Sequence, residues 1–393
     1  MNYKVSHPTK EVICELTLPS SKSISNRLLI IQHLCDTSFQ IHNLSNSEDT
    51  LSLKNALNST VDTIDVGAAG TSFRFLTAFL ANKEGEEFIL TGSKRMQERP
   101  IKDLVESLLQ LGSDIEYVNQ VNFPPLRIKG KNISGGNIQI EGGISSQFIS
   151  ALLLIAPTLK NGINLSIVGE LVSKPYVEMT LRLMEEFGIS YSWTQNTIQV
   201  NQQKYKAKDY IVESDWSAAS FWFEIASLSK KCDIKLKGLS ENSIQGDKNL
   251  MDLYEQLGVH SYFVNETLHL VKKKSYENPE YIDLLGTPDL YQPIKCTLFG
   301  LAKSSKFTGV ITLKDKETDR IKAVEEEILK LDSIKIIHSH KDHRMAMSFA
   351  PLCLRFGELQ INNIEVVKKS YPDFWKDIQK GGFKITPLIQ TNN

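Results

Sequence analysis

Residues 16 to 30 read Leu16-Thr17-Leu18-Pro19-Ser20-Ser21-Lys22-Ser23-Ile24-Ser25-Asn26-Arg27-Leu28-Leu29-Ile30. A short apolar strand runs into a Pro/Ser turn, and a helix opens on polar residues before it turns apolar. The plan recurs. Thr63–Val66 leads into Gly67-Ala68-Ala69-Gly70-Thr71, Ile138–Ile140 into Gly142-Gly143-Ile144-Ser145-Ser146, and Tyr210–Val212 into Glu213-Ser214-Asp215. Weaker copies are Tyr281–Leu285 into Gly286-Thr287-Pro288-Asp289 and Ile334–Ile337 into Lys341-Asp342-His343. A second amphipathic helix follows in several units, and three of these helices end alike. Leu111-Gly112 runs on to Tyr117, Phe187-Gly188 to Tyr191 and Trp193, and Leu257-Gly258 to Tyr262 and Phe263. Glycine at a helix end before a strand is ordinary helix-stop chemistry. Its return at intervals of roughly 70 residues points to duplicated units. Alternating strands and helices place the chain in the α/β or α+β class. Six units divide naturally into two similar domains of three, and 393 residues exceed what one hydrophobic core organises. Whether the strands of a unit run parallel or mixed stays open at this level.

Composition narrows the function. The hydrophobic fraction of 41% and charged fraction of 23% are those of an ordinary globular protein. No apolar run is long enough to span a bilayer. The stretch Met1–Lys10 is polar and lacks the apolar core of a secretory signal, so a cytoplasmic location is expected. Cys14, Cys35, Cys232, Cys296 and Cys353 are scattered and match no metal spacing, so reduced, mostly buried thiols and no metal are expected. The formal net charge of −1 gives no support to a nucleic-acid or membrane-surface role. A basic site must therefore be built by local concentration.

The helix-opening strings supply it. The Pro19–Ser23 turn offers backbone N–H groups at a helix start, where the dipole favours anions, and Lys22 adds a full charge. Ser23 and Arg27 are four apart and share a helix face. Gly70 lets a backbone approach a ligand closely. Ser145, Ser146 and Gln147 offer hydroxyls and an amide, and Ser173-Lys174-Pro175-Tyr176 repeats that chemistry with proline in the first turn. In the second half, Lys314-Asp315-Lys316-Glu317-Thr318-Asp319-Arg320 follows the apolar run Val310–Leu313, which reads as a strand, and precedes a helix. Asp342-His343-Arg344 opens another helix, and Lys368-Lys369-Ser370-Tyr371-Pro372-Asp373-Phe374 sets lysines before a third. Taken singly, each string reads as helix capping or a solvated charged loop. Together they put Lys22, Arg27, Arg99, Lys316, Arg320, Arg344 and Lys369 at turns or helix starts, where cations are locally unfavourable. An anionic ligand carrying several phosphate or carboxylate groups would offset that repulsion.

In this order the strings resemble the EPSP synthase family of enolpyruvyl transferases. The resemblance spans essentially the whole chain, from Leu18–Arg27 through Glu98-Arg99-Pro100-Ile101, Ser145–Phe148, Ser173–Tyr176, Pro288-Asp289 and Lys316–Arg320 to Asp342–Met347 and Lys369–Phe374. It implies two domains, each of three βαβαββ-type units in an inside-out α/β barrel, with the active site in the cleft between them. The expected division is 20–212 for one domain and 1–19 plus 213–393 for the other. It implies an addition–elimination that moves the enolpyruvyl group of phosphoenolpyruvate to the 5-hydroxyl of shikimate 3-phosphate, with no cofactor or metal, in a monomer.

Carried over by motif, Lys22, Ser23, Arg27, Ser145, Ser146, Gln147, Ser173, Tyr176, Asp289 and Lys316 would hold shikimate 3-phosphate. Lys22, Gly70, Arg99, Gln147, Arg320, Arg344 and Lys369 would hold phosphoenolpyruvate. Glu317 would protonate the methylene carbon, Asp289 would deprotonate the hydroxyl, and Lys22 would assist. Ala68 and Phe75 stand where the family has asparagine and proline. The retained Gly70 implies sensitivity to the inhibitor glyphosate. The related UDP-N-acetylglucosamine enolpyruvyl transferases resemble the chain in fold but carry a loop cysteine, and Thr91–Pro100 contains none. A catalytically inert anion-binding relative is the third reading; the two acids Asp289 and Glu317 speak against it.

Overall fold

The computed structural model describes residues 1–275 and 277–388. The chain forms two compact units: Lys22–Val212, and Met1–Ser21 together with the chain from Glu213 onward.

Within each unit the repeat is explicit in the sheets. In Lys22–Val212, strands Thr63–Asp65, Glu87–Thr91, Leu126–Lys129 and Asp114–Tyr117 lie side by side in that order. The first pair is parallel and the next two pairings are antiparallel. Gly136–Glu141, Ile163–Val168, Thr197–Val200 and Ser192–Thr194 repeat the pattern. In the other unit it appears twice more. Glu11–Thr17 pairs parallel with Lys231–Lys237, which continues antiparallel to Thr267–Lys272 and then Val259–Val264. Ile336–His338 pairs parallel with Leu359–Asn362, which continues through Asn2–Ser6 to Lys384–Leu388. Each unit also holds one reduced copy, a single parallel pair: Ile41–His42 with Tyr210–Ile211, and Tyr281–Asp283 with Lys306–Thr308. The strands are thus mixed within each repeat, and the sheets stay separate and open rather than closing into the barrel the resemblance implied.

The helices form the inside. Helix Trp216–Leu228 is buried on nearly every residue except Ser217, and Ser146–Ile155 is buried on all but Gln147. Helices apolar all round belong in a core. The sheets carry the boundary with water: Lys231–Lys237 buries Cys232, Ile234 and Leu236, exposes Lys231, Asp233 and Lys237, and leaves Lys235 half-buried. Gly112, Gly188 and Gly258 end helices Lys102–Gln110, Lys174–Glu186 and Leu250–Gln256 with φ of 101°, 83° and 86°, the left-handed stop that the repeated Leu/Phe-Gly pairs suggested.

One expected strand is absent. Of Val310–Leu313, Ile311 onward lies in a 3-10 turn, Ile311–Asp315, which Val310 precedes, and the strand of that repeat is the more polar Lys306–Thr308. Gly309 intervenes with φ 72°, and a side chain there would fall 2.1 Å from the Leu285 backbone nitrogen. The chain must turn at once, so the apolar run packs down as a turn, with Leu313 buried. No helix among the described residues is long and apolar enough to cross a membrane.

Candidate active site

In Lys22–Val212 the expected residues gather at helix starts. Lys22 is the first residue of helix Lys22–Leu34, and its Nζ lies 3.0 Å from Asp49 Oδ2. Arg27, one turn on from Ser23, is 2% exposed. Its guanidinium donates to the Ser23 carbonyl at 2.8 Å, Thr180 Oγ1 at 2.7 Å, Ser150 Oγ at 3.2 Å and the Tyr176 carbonyl at 3.1 Å. These acceptors carry no formal charge, and burial lowers the Arg27 pKa to about 10. The charge is thus held inside the fold by neutral groups, which makes an added anion favourable nearby. Ser145 caps helix Ser146–Ile155 by accepting from the Gln147 amide, whereas Ser173 has left-handed backbone (φ 58°) and no capping bond.

Gly70 opens helix Gly70–Ala81. A β-carbon built on it would lie 2.5 Å from Arg99 Nη1 and 2.6 Å from Arg74 Nη1. Two guanidinium tips therefore converge within about 5 Å of each other, where like charges repel and a multiply charged anion is favoured. Arg74 Nη1 also donates to Gln147 Oε1 at 3.0 Å, Gln147 Nε2 donates to Thr71 Oγ1 at 3.0 Å, and Arg74 lies over the Phe148 ring. Gly70, Arg99 and Gln147, which the family resemblance put in one subsite, lie close together around Arg74, which was not foreseen. Arg74 lies one helical turn after Gly70 on the same face, a spacing that could have marked it.

In the other unit, Arg320 is the hub. It is 2% exposed and reaches three carboxylates: Nε to Asp342 Oδ2 at 2.8 Å, Nη1 to Asp289 Oδ1 at 2.8 Å and Nη2 to Glu317 Oε2 at 2.9 Å. Glu317 Oε1 takes Lys369 Nζ at 2.6 Å, and Asp289 Oδ1 takes Lys316 Nζ at 3.4 Å. Arg344 donates to the Asp289 carbonyl at 3.1 Å, sits 3.5 Å from its Oδ2 and also donates to Ser217 Oγ. Burial alone would raise the Asp289 pKa, but Lys316, Arg344 and Arg320 outweigh it and hold it well below its ordinary value. Burial likewise works against charge on Arg320, and Asp342, Glu317 and Asp289 more than compensate, raising its pKa.

Asp342 is the N-cap of helix His343–Phe349 through the Arg344 amide, as capping chemistry suggests, but His343 and Arg344 are buried rather than exposed. Four cations thus meet three carboxylates, so the protein itself supplies part of the offset that sequence reasoning assigned wholly to a ligand. Asp49, Asp342 and Ser217 were not foreseen as partners. Each lies 22 or more positions from the cation it meets, beyond any local spacing rule.

A family model described as EPSP synthase (3-phosphoshikimate 1-carboxyvinyltransferase) matches residues 53–378. A Bacteroides fragilis protein named 3-phosphoshikimate 1-carboxyvinyltransferase is 44% identical over 98% of this chain and 99% of its own length. A Vibrio cholerae protein of the same name is 33% identical over 94% of this chain and 96% of its own. The solved structure of EPSP synthase from Acinetobacter baumannii aligns with a TM-score of 0.77 at 19% identity, over 99% of this chain and all of that one, a likeness of fold.

Proposed function

Since the chain belongs to the EPSP synthase family, we propose that it is the enzyme that transfers the 1-carboxyvinyl group of phosphoenolpyruvate to the 5-hydroxyl of shikimate 3-phosphate, with release of phosphate, in the shikimate pathway to aromatic amino acids. Both substrates are anions, and a cation-rich pair of residue sets, one in each unit, suits them. Lys22, Ser23, Arg27, Ser145, Ser146, Gln147, Ser173, Tyr176, Asp289 and Lys316 are assigned to shikimate 3-phosphate. Lys22, Gly70, Arg99, Gln147, Arg320, Arg344 and Lys369 are assigned to phosphoenolpyruvate, and Arg74 joins them because it shares the Gly70 corner with Arg99.

The observation that carries the reading is the Arg320 hub, where two acids, Asp289 and Glu317, sit on one buried guanidinium among further cations. Anion binding alone would need the cations and not the acids. Addition requires a proton delivered to the methylene carbon of phosphoenolpyruvate and one removed from the acceptor hydroxyl. Elimination then takes a proton from the new methyl group as phosphate leaves. Glu317 is assigned the carbon-centred proton transfers and Asp289 the hydroxyl. With its pKa so depressed, Asp289 is a weak base in the ligand-free protein. Substrate anions that draw on Lys316, Arg344 and Arg320 raise its basicity, so the base is armed by the substrates themselves. Lys22 assists at the hydroxyl or the departing phosphate, and the cations stabilise charge on the tetrahedral intermediate. A monomer in the cytoplasm is the proposed setting.

The test is phosphate release from purified protein given phosphoenolpyruvate with either shikimate 3-phosphate or UDP-N-acetylglucosamine. Release with the shikimate compound alone is the expected result. Release only with the nucleotide sugar, or with neither, would overturn the proposal.

A further inference from the structure

Between strand Ile336–His338 and helix His343–Phe349 the chain passes through a tight turn, closed by the Asp342 amide donating to the Ser339 carbonyl at 2.8 Å. Two consecutive non-glycine residues in it, His340 and Lys341, have φ of 49° and 58°. Left-handed backbone costs free energy for any residue with a side chain, and contacts around the turn help to hold two in succession. The turn leads directly into Asp342 and Arg344, so its shape sets where both of them point.

The holding contact comes from Glu327, which is 0% exposed. Its Oε2 accepts from the His338 amide at 3.1 Å, and its Oε1 accepts from His340 Nε2 at 2.8 Å and Lys330 Nζ at 3.3 Å. Glu327 lies two helical turns after Arg320 on helix Arg320–Lys330, so both project from the same face. One helix therefore grips the strained turn at two points: Glu327 holds its entrance at His338 and His340, and Arg320 holds its exit at Asp342. Asp342 spends its other oxygen on the Arg344 amide at 2.8 Å. Burial works against ionisation of Glu327, but the His340 ring, the His338 amide and Lys330 outweigh it and lower its pKa, so the grip is made by a carboxylate.

We propose that Glu327 is a positioning residue for the phosphoenolpyruvate end of the site, holding the Ser339–Lys341 turn in its strained form so that Asp342 orients Arg320 and Arg344. The assignment of that end rests on the function proposed above. Glu327 touches no substrate; it acts through the turn. Glutamine at 327 keeps the volume but removes the charge and turns an amide N–H₂ towards either the His338 amide or the His340 and Lys330 side, so one grip is weakened. Glycine at the exposed position 341 adopts left-handed backbone without penalty, so the turn then needs less holding.

The experiment compares wild type, E327Q, K341G and the double variant E327Q/K341G by substrate-specific kinetics and by hydrogen exchange over 338–344. E327Q should raise KM for phosphoenolpyruvate about tenfold or more, leave KM for shikimate 3-phosphate within about twofold, and speed exchange of the Asp342 and Arg344 amides. K341G alone should resemble wild type, and the double variant should recover most of both losses. An unchanged KM for phosphoenolpyruvate in E327Q, or a loss shared by both substrates and not rescued by K341G, would refute positioning and leave Glu327 a purely structural acid. If wild type shows no turnover, the function proposed above fails. The exchange data still decide this proposal: protection of Asp342 and Arg344 unaltered by E327Q would sink it, and loss restored by K341G would sustain it.

Discussion

Gly70→Ala is the smallest change that should separate the two substrates. The added methyl carbon would stand 2.5 Å from Arg99 Nη1, 2.6 Å from Arg74 Nη1 and 3.2 Å from Arg99 Cζ. Ordinary contact needs about 3.5 Å, so both guanidinium tips must retreat by about 1 Å. The Gly70 backbone is right-handed helical, so alanine fits it and the fold should persist, helped slightly by a stiffer unfolded chain. A charge-assisted hydrogen bond at about 2.8 Å does not survive a 1 Å displacement. Losing one such bond to a carboxylate or phosphate costs about 1.5–3 kcal/mol, or roughly 10- to 150-fold in affinity. KM for phosphoenolpyruvate should rise by that factor, and KM for shikimate 3-phosphate should change far less, because Arg27 is held by Ser23, Thr180, Ser150 and Tyr176 rather than by the two displaced arginines. The assay is initial-rate phosphate release with each substrate varied at saturating levels of the other, with a thermal melt as a folding control. Glyphosate inhibition, expected from the family resemblance, should weaken in parallel. A KM for phosphoenolpyruvate within twofold of wild type, in a protein that melts normally, would refute the steric argument and remove Gly70 from that subsite.

Glu317→Gln should lower kcat by at least 10²-fold, in line with loss of a general acid, while binding of shikimate 3-phosphate measured by calorimetry stays nearly intact. A near-normal kcat would take the acid role from Glu317. Glu224, on the buried helix Trp216–Leu228, has no hydrogen-bond partner for either carboxyl oxygen among the described residues, and burial raises its pKa well above 4.5. Glu224→Leu should stabilise the protein by about 1–3 kcal/mol at neutral pH, read as a higher melting temperature. The folded state holds a proton that the unfolded state releases, so wild type should lose stability as pH rises above about 4.5 while the variant does not share that slope. Equal slopes would mean the carboxyl finds a partner in solution. Lys272 donates to the Ser227 carbonyl, and burial with Arg355 nearby lowers its pKa to about 8. Because the unfolded chain keeps that proton longer, wild type should gain stability relative to Lys272→Met as pH climbs from about 8 towards 10.5; a flat difference between the two melting curves would contradict the shift.

What could be read in advance was whatever the chain writes locally. Ser145 caps the helix it precedes, Asp342 caps His343–Phe349, and Gly112, Gly188 and Gly258 stop helices, because each of these acts over four residues or fewer. The same locality explains the failures. Val310–Leu313 looks like a strand by hydropathy alone, but Gly309 is pressed against Leu285, a neighbour that only the fold supplies. Lys22 finds Asp49 and Arg320 finds Asp342 across separations of 27 and 22 positions, and no periodicity reports such a meeting.

The crowd of cations at helix starts pointed to an anionic ligand, but sequence gives no way to divide the demand for negative charge between a ligand and the protein's own acids. The structure divides it unevenly. In one unit Arg320, Arg344, Lys316 and Lys369 are balanced in large part by Asp289, Glu317 and Asp342. In the other, Arg27 rests on uncharged acceptors, and Arg74 and Arg99 are driven together at Gly70. An anion arriving at the Gly70 corner meets two guanidinium tips brought close together, and one arriving at Arg320 must compete with carboxylates. In the proposed mechanism that competition frees Asp289 to act as a base, so the acids that weaken anion binding in the second unit would couple binding to chemistry.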